Sequence, residues 1–174
     1  MRIMIVALTL LALPGVAQGA PLPVRGPDGL ACVHGLPSIR ADIVELKDRT
    51  GFVKLEVYPA NDQDFLKHGR ELIAEHKFYR RIKVPTPATG PVSLCIRVPK
   101  PGRYALLFTH DRDGRDKFNF WSDGAGFPSN IKIRRTKPTA AMAAIDVPNG
   151  MVVTRIRTQY LRGIAGFKPL PKQR

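Results

Sequence analysis

Between Val92 and Val98 every second residue is apolar: Val92, Leu94, Ile96 and Val98 fall on one side, and Ser93, Cys95 and Arg97 on the other. A period of two marks a strand, whose successive side chains point to opposite faces. The period recurs in Phe52–Tyr58, where Val53, Leu55 and Val57 oppose Lys54 and Glu56. It recurs again in His76–Val84 (Phe78, Ile82, Val84) and in Arg103–His110 (Tyr104, Leu106, Phe108). Ile39–Leu46, Ile131–Arg135 and Ala144–Val147 are further strand candidates, and Met151–Tyr160 aligns Val152, Ile156 and Tyr160 with Thr154 and Thr158.

Turn signals separate these runs: Lys47–Gly51, the proline-rich Pro85–Pro91, and Pro99–Gly102. Asn149-Gly150 is the strongest hairpin signal in the chain. Asp111–Asn130 reads as one long loop. Only Asn61–Gly69 suggests a helical turn or two, with Asn61 as cap, Asp62 and Asp64 near the positive end, and Gly69 closing it. Seven or eight short strands with almost no helix predict an all-β fold, an antiparallel β-sandwich over residues 39–160. Residues 20–38, with Pro21, Pro23, Gly26 and Pro27, read as an extended arm. Residues 161–174 read as a basic tail that frays.

Compartment follows from the first residues. Arg2 precedes an apolar run from Ile3 to Leu13, Pro14-Gly15 breaks it, and small residues follow up to Ala20. This is the pattern of a secretory leader over residues 1–19, cleaved after Ala17 or Gly19. The run is too short to span a bilayer, so the mature chain is expected to be exported to the periplasm or beyond without a membrane anchor. Removing 1–19 takes away one Arg and no acid, leaving 27 Lys+Arg against 14 Asp+Glu. In an oxidising compartment the only two cysteines, Cys32 and Cys95, predict one disulfide, against the alternative of two buried thiols. Cys95 is out of phase with its strand's apolar stripe, so a bridge would hold the arm against the outer face or edge of that strand.

Three stretches resemble a known family: Gly51–Pro59 (GFVKLEVYP), Pro99–Asp111 (PKPGRYALLFTHD) and the loop Asp111–Asn130 (DRDGRDKFNFWSDGAGFPSN), with VVTRIRTQY as a closing strand. Over residues 39–160 the chain is similar to the small exported bacterial proteins grouped as domain of unknown function 2141. The resemblance implies a Greek-key sandwich like transthyretin-like and carboxypeptidase-regulatory domains. It implies no activity. The chain departs from the family pattern where Arg112, Arg115 and Lys117 intrude into a loop otherwise rich in Asn, Asp and Gly.

Four constellations are candidates for chemistry. Asp111, Asp113, Asp116 and Asp123 alternate around Gly114 with spacing that can offer oxygens to calcium. The match to a calcium loop is incomplete, because Arg115 stands at the fifth position and no Glu at the twelfth, and the acids balance the bases from 111 to 117. The other reading has these carboxylates capping turns. His110 beside Asp111 has the form of a general base, but no nucleophile accompanies it, and His34, His68 and His76 show no zinc spacing. Phe120, Trp121 and Phe127, near Phe118, form either a stacking platform for a ligand or a plug for the open end of the sandwich, with Trp121 the largest piece. Basic runs at Arg80-Arg81-Lys83, Lys132–Lys137 and Arg155–Arg162 suit an anionic glycolipid or glycan, or a solvated surface; no nucleic-acid-binding motif supports a DNA or RNA partner. The resulting expectation is an exported, non-catalytic binding or structural module with no cofactor. The alternative is an envelope enzyme or calcium-stabilised module built on His110 and the Asp111–Asp123 loop.

Overall fold

The computed structural model describes residues 23–171, so the leader reading, the first three residues of the arm and the last three of the tail lie outside the described residues. The order is β1 (Val24–Arg25), α1 (Gly29–Val33), β2 (Ser38–Val44), β3 (Phe52–Pro59), α2 (Gly69–Ala74), β4 (Arg80–Pro85), β5 (Val92–Arg97) and β6 (Gly102–Asp111). There follow β7 (Gly124–Gly126), α3 (Ala140–Ala143), β8 (Ala144–Val147), β9 (Met151–Arg157), β10 (Gln159–Leu161) and β11 (Phe167–Pro169). The fold is an all-β sandwich of two sheets. One runs β1-β5-β2-β9; the other runs β11-β10-β7-β6-β3-β4, with β8 beside β6 beyond the end of β7. Two pairings, β1 with β5 and β2 with β9, are parallel; the rest are antiparallel.

The period-two faces meet as the sequence demands. Val53, Leu55 and Val57 from β3, with Tyr104, Leu106 and Phe108 from β6, face Ile39, Ala41, Ile43, Leu94 and Ile96 across the sandwich. Each fully buried aliphatic side chain there contributes roughly 1.5–3 kcal/mol relative to exposure. Gly51 starts β3 in the left-handed region at φ 68°, and a Cβ there would stand 2.2 Å from the Asp111 carbonyl, so no larger residue fits this corner.

Both open sides of the sandwich are closed. On one side Cys32 of α1 is bonded to Cys95 of β5. Beside it, the buried Asp28 carboxylate accepts from Arg80 Nε of β4 at 2.6 Å and from the Arg97 amide of β5 at 2.9 Å, tying the arm to both sheets. The arm is therefore not simply extended: it pairs as β1 and coils as α1. On the other side the chain leaves β9 and enters the opposite sheet as β10. At the crossing Thr158 donates its amide and its hydroxyl to the Val44 carbonyl, both at 3.0 Å.

Several local expectations change. Asn149-Gly150 does not make a hairpin. β8 pairs with β6 while β9 pairs with β2, because Ile145 and Val147 enter the core from one layer and Ile156 from the other. Gly69 opens helix α2 rather than ending one, since the turn at residues 62–66 stops at Leu66, whose φ is 65°. Ile131–Arg135 is not a strand: Gln159, itself buried, holds Ile131 and Ile133 through its side-chain amide instead of a ladder. The tail beyond residue 160 does not fray over its described length, because β11 pairs with β10 and buries Phe167.

The cross-link closes a loop between positions 63 apart in sequence. Replacing it, Cys32→Ser with Cys95→Ser, is expected to lower the free energy of unfolding by about 4 kcal/mol, read from urea melts of the two proteins. An unchanged midpoint would show that the arm is not anchored by this bond.

Candidate functional site

His110 and Asp111 are neighbours in β6, so the strand sends them to opposite faces. His110 points into the sandwich with no exposed surface. Its Nε2 lies 2.9 Å from the Thr50 carbonyl, an acceptor only, so Nε2 carries the proton. Nδ1 then accepts from the Tyr160 hydroxyl at 2.7 Å, and that oxygen accepts in turn from the Lys47 amide at 2.9 Å. The chain Lys47–Tyr160–His110–Thr50 links the β2–β3 turn, β6 and β10 and is satisfied end to end with a neutral imidazole. Burial pushes the His110 pKa below its ordinary value, against the opposing pull of the Thr50 carbonyl and Asp48. Asp48 itself is held well below the carboxylate range: burial would raise it, but Arg112 and Thr50 hydrogen-bond its two oxygens. The ring does not engage Asp111 as a general-base pair would.

Asp111 points to the other side of the sheet. Carboxylate oxygens of Asp111, Asp113 and Asp123 do come together, all within 4.8 Å of one another. Asp116 does not join them; it turns to Lys83 at 2.8 Å and Arg81 at 3.2 Å. The oxygens that do converge already have donors. Asp111 accepts from the Gly114 amide at 2.9 Å, the Asp116 amide at 3.2 Å and the Lys54 ammonium at 3.1 Å. Asp123 accepts from the amides of Arg112 and Asn119 and from the Ser122 hydroxyl. Asp113 accepts from the Arg115 amide and the Asn119 side chain. Lys54, on the face of β3 opposite its apolar stripe, is buried here and brings one positive charge to the cluster. The arrangement shapes a loop, its carboxylates held by backbone amides, side-chain donors and Lys54.

The aromatics divide. Phe127 is 1% exposed and Phe120 61%, and both line one groove; Trp121, at 84% exposed, lies outside it. Trp121 plugs nothing, because its ring stands in solvent rather than in the core. The groove, about 450 Å³, lies across the outer face of the seven-stranded sheet. Its floor is Lys54, Glu56 and Tyr58 of β3, Leu107 and Thr109 of β6, and Ala125 of β7. One end is an aromatic cluster: Phe118 sits edge-on to Phe120 at 5.1 Å and stacks on Phe167 at 6.3 Å. A further wall is the segment from Ile133 to Pro138. The acid and one base on the floor are already engaged, Glu56 by the Tyr79 hydroxyl at 2.5 Å and Lys54 by Asp111.

Leu107 and Phe167 were not singled out from sequence, whereas Phe118 was placed in the aromatic loop. A signal for the covered face existed in β6, where Tyr104-Ala105-Leu106-Leu107-Phe108 is a continuous apolar run, the mark of a strand buried on both sides. Phe167 offered only a lone aromatic in a polar tail. Of the basic runs, Arg80 meets Asp28, Arg81 and Lys83 meet Asp116, and Arg157 meets Glu45.

Two outcomes follow. The unfolded imidazole titrates near pH 6.5 and the folded one lower, so between those values the unfolded chain holds a proton that the native chain does not. The contribution of His110 is fully present above about pH 6.5 and is lost as pH falls through the folded value. Urea midpoints measured from pH 7.5 down to 5 should fall for the parent protein and stay flatter for His110→Gln; equal slopes would remove the assignment. Second, Asp111→Leu strands the buried Lys54 and should cost about 3–5 kcal/mol, whereas a chelator should leave the melting temperature of the parent protein unchanged. A chelator-induced drop would restore a metal to this loop.

A family model described as "Uncharacterized protein conserved in bacteria (DUF2141)" matches residues 42–155. No curated protein and no solved structure matches the chain.

Proposed function

The chain belongs to the DUF2141 family of bacterial proteins, and on that footing we propose that it is an exported, non-catalytic binding module whose ligand seat is the groove on the outer face of the seven-stranded sheet. The observation that carries this reading is the groove itself. Its volume lies within the usual range for small-molecule sites, and its lining is mostly apolar and aromatic with a few polar groups. A sheet face opposite the main core has no structural need for a hollow. Tyr58, Phe65, Ala125 and Phe127 pack there as a second core, and the groove lies where that core is left open.

Export is supported by the leader-like first residues and by a cross-link that persists in oxidising compartments. Among the described residues no helix is long and apolar enough to cross a membrane. The non-catalytic reading is supported by His110, the one histidine placed as a general base by sequence, which is sealed in the core with both nitrogens engaged. The oxygens of the converging carboxylates likewise face donors of their own loop.

A neutral fluorescent probe, N-phenyl-1-naphthylamine, tests the reading. The oxidised protein is expected to bind it with saturation at one equivalent. Phe118→Ala with Phe120→Ala should weaken binding by about tenfold, and Trp121→Ala should leave it within about twofold. Loss of binding in Trp121→Ala alone, or no saturable binding by the parent protein, would overturn the proposal.

A further inference from the structure

We infer that the ligand of this groove is a single-chain amphiphile with an anionic head, its apolar body on the phenylalanines and its head on the wall formed by Arg134, Arg135 and Lys137. The inference rests on the groove being a ligand seat and goes on to the chemistry of what sits there. The acids that line the groove are already committed: Glu56 to the Tyr79 hydroxyl, and Asp116 to Lys83 and Arg81. The floor cation Lys54 is committed to Asp111. The wall is different. Among the described residues Arg134, Arg135 and Lys137 have no carboxylate within ion-pair distance, and Lys137 meets only the Asp62 carbonyl at 3.5 Å.

This imbalance comes from the sequence. From Asn130 to Met142 there is no Asp or Glu, while Lys132, Arg134, Arg135 and Lys137 carry four positive charges. The segment is nevertheless fixed. Asn130 accepts from the Arg157 amide at 2.7 Å and donates to the Arg155 carbonyl at 2.9 Å, and Gln159 holds the backbone of Ile131 and Ile133. Ile133 is buried in the second apolar cluster. The bases are thus presented from an anchored backbone at the edge of an apolar hollow. Guanidinium groups so placed match a carboxylate or phosphate with paired hydrogen bonds, and they do not lose charge with pH. A cationic head would be repelled, and a neutral one would leave the wall unmatched.

The test is displacement of the neutral probe by ten-carbon competitors below their micellar concentrations: decanoate, decyl phosphate, decanol and decylamine. The first two separate a carboxylate head from a phosphate head. Either anion is expected to displace at least about tenfold more effectively than decanol, with decylamine weakest. The advantage should shrink as salt is raised. In the triple variant Arg134→Gln, Arg135→Gln, Lys137→Gln the anion advantage, read as the ratio of anion to decanol displacement within that same variant, should fall to within about twofold. All three side chains are exposed, and an unchanged melting curve confirms that the variant is folded. If anions and decanol displace equally from the parent protein, the inference fails and the binding-module reading stands. Failure of the probe itself to bind would instead overturn that reading.

Discussion

Eight consecutive residue pairs join β3 to β6, from Phe52 opposite Asp111 to Pro59 opposite Tyr104. Everything else in the molecule is placed by this ladder. One face of it gives Val53, Leu55, Val57, Leu106 and Phe108 to the sandwich. The opposite face gives Tyr58, Ala105 and Leu107 to a second apolar cluster, and Lys54, Glu56 and Thr109 to the floor of the groove. A slip of one residue would exchange the two sets and bury Lys54 and Glu56 between the sheets. The Lys54–Asp111 pair adds to this specificity, because it is dry and needs both residues on the sheet's outer face, which a one-residue slip would prevent. Desolvating both charges makes such a pair a poor source of net stability. Its position between strand floor and loop suggests that it selects one arrangement of the loop over others.

The strands themselves were legible because burial on one face imprints a period of two. Phe52–Pro59, Val92–Arg97 and Gly102–Asp111 lie where alternation put them, and Cys95's position out of phase correctly placed the arm on the outside of β5. What failed were readings that depend on partners distant in sequence. Asn149-Gly150 has hairpin chemistry, but a turn's local preference cannot say whether the next strand returns to its neighbour or crosses to the other layer. Ile131–Arg135 has strand composition, yet its hydrogen bonds go to the side chain of Gln159. The helix α2 is too short to show a period and is defined by its packing of Leu72 beneath the second cluster.

The candidate site was half legible. Phe120 and Phe127 were placed from sequence on the long loop and line the groove, but Trp121, whose size suggested a plug, stands exposed outside it. The Asp cluster was found too, and three of its four members converge. Sequence spacing could not tell whether those oxygens would face an ion or backbone amides, because that depends on the path of the loop between them. His110 shows the same limit. Adjacency to Asp111 in sequence means opposition in a strand, so the dyad suggested by the letters is forbidden by the pleat.

In a chain with twice as many bases as acids, the acids decide where charge is balanced. Asp28, Asp48, Asp64, Asp111 and Asp116 each take one or more cations, and these pairs fasten arm, turn and loop to the sheets. The bases they leave over are then the informative ones. Most of a solvated basic surface needs no partner, so exposure alone says nothing about function. The wall of the groove differs in that its bases stand on a backbone held by Asn130 and Gln159, beside an apolar hollow on the sheet's outer face. Side-chain amides have taken the place of a β-ladder there and fix the segment in position.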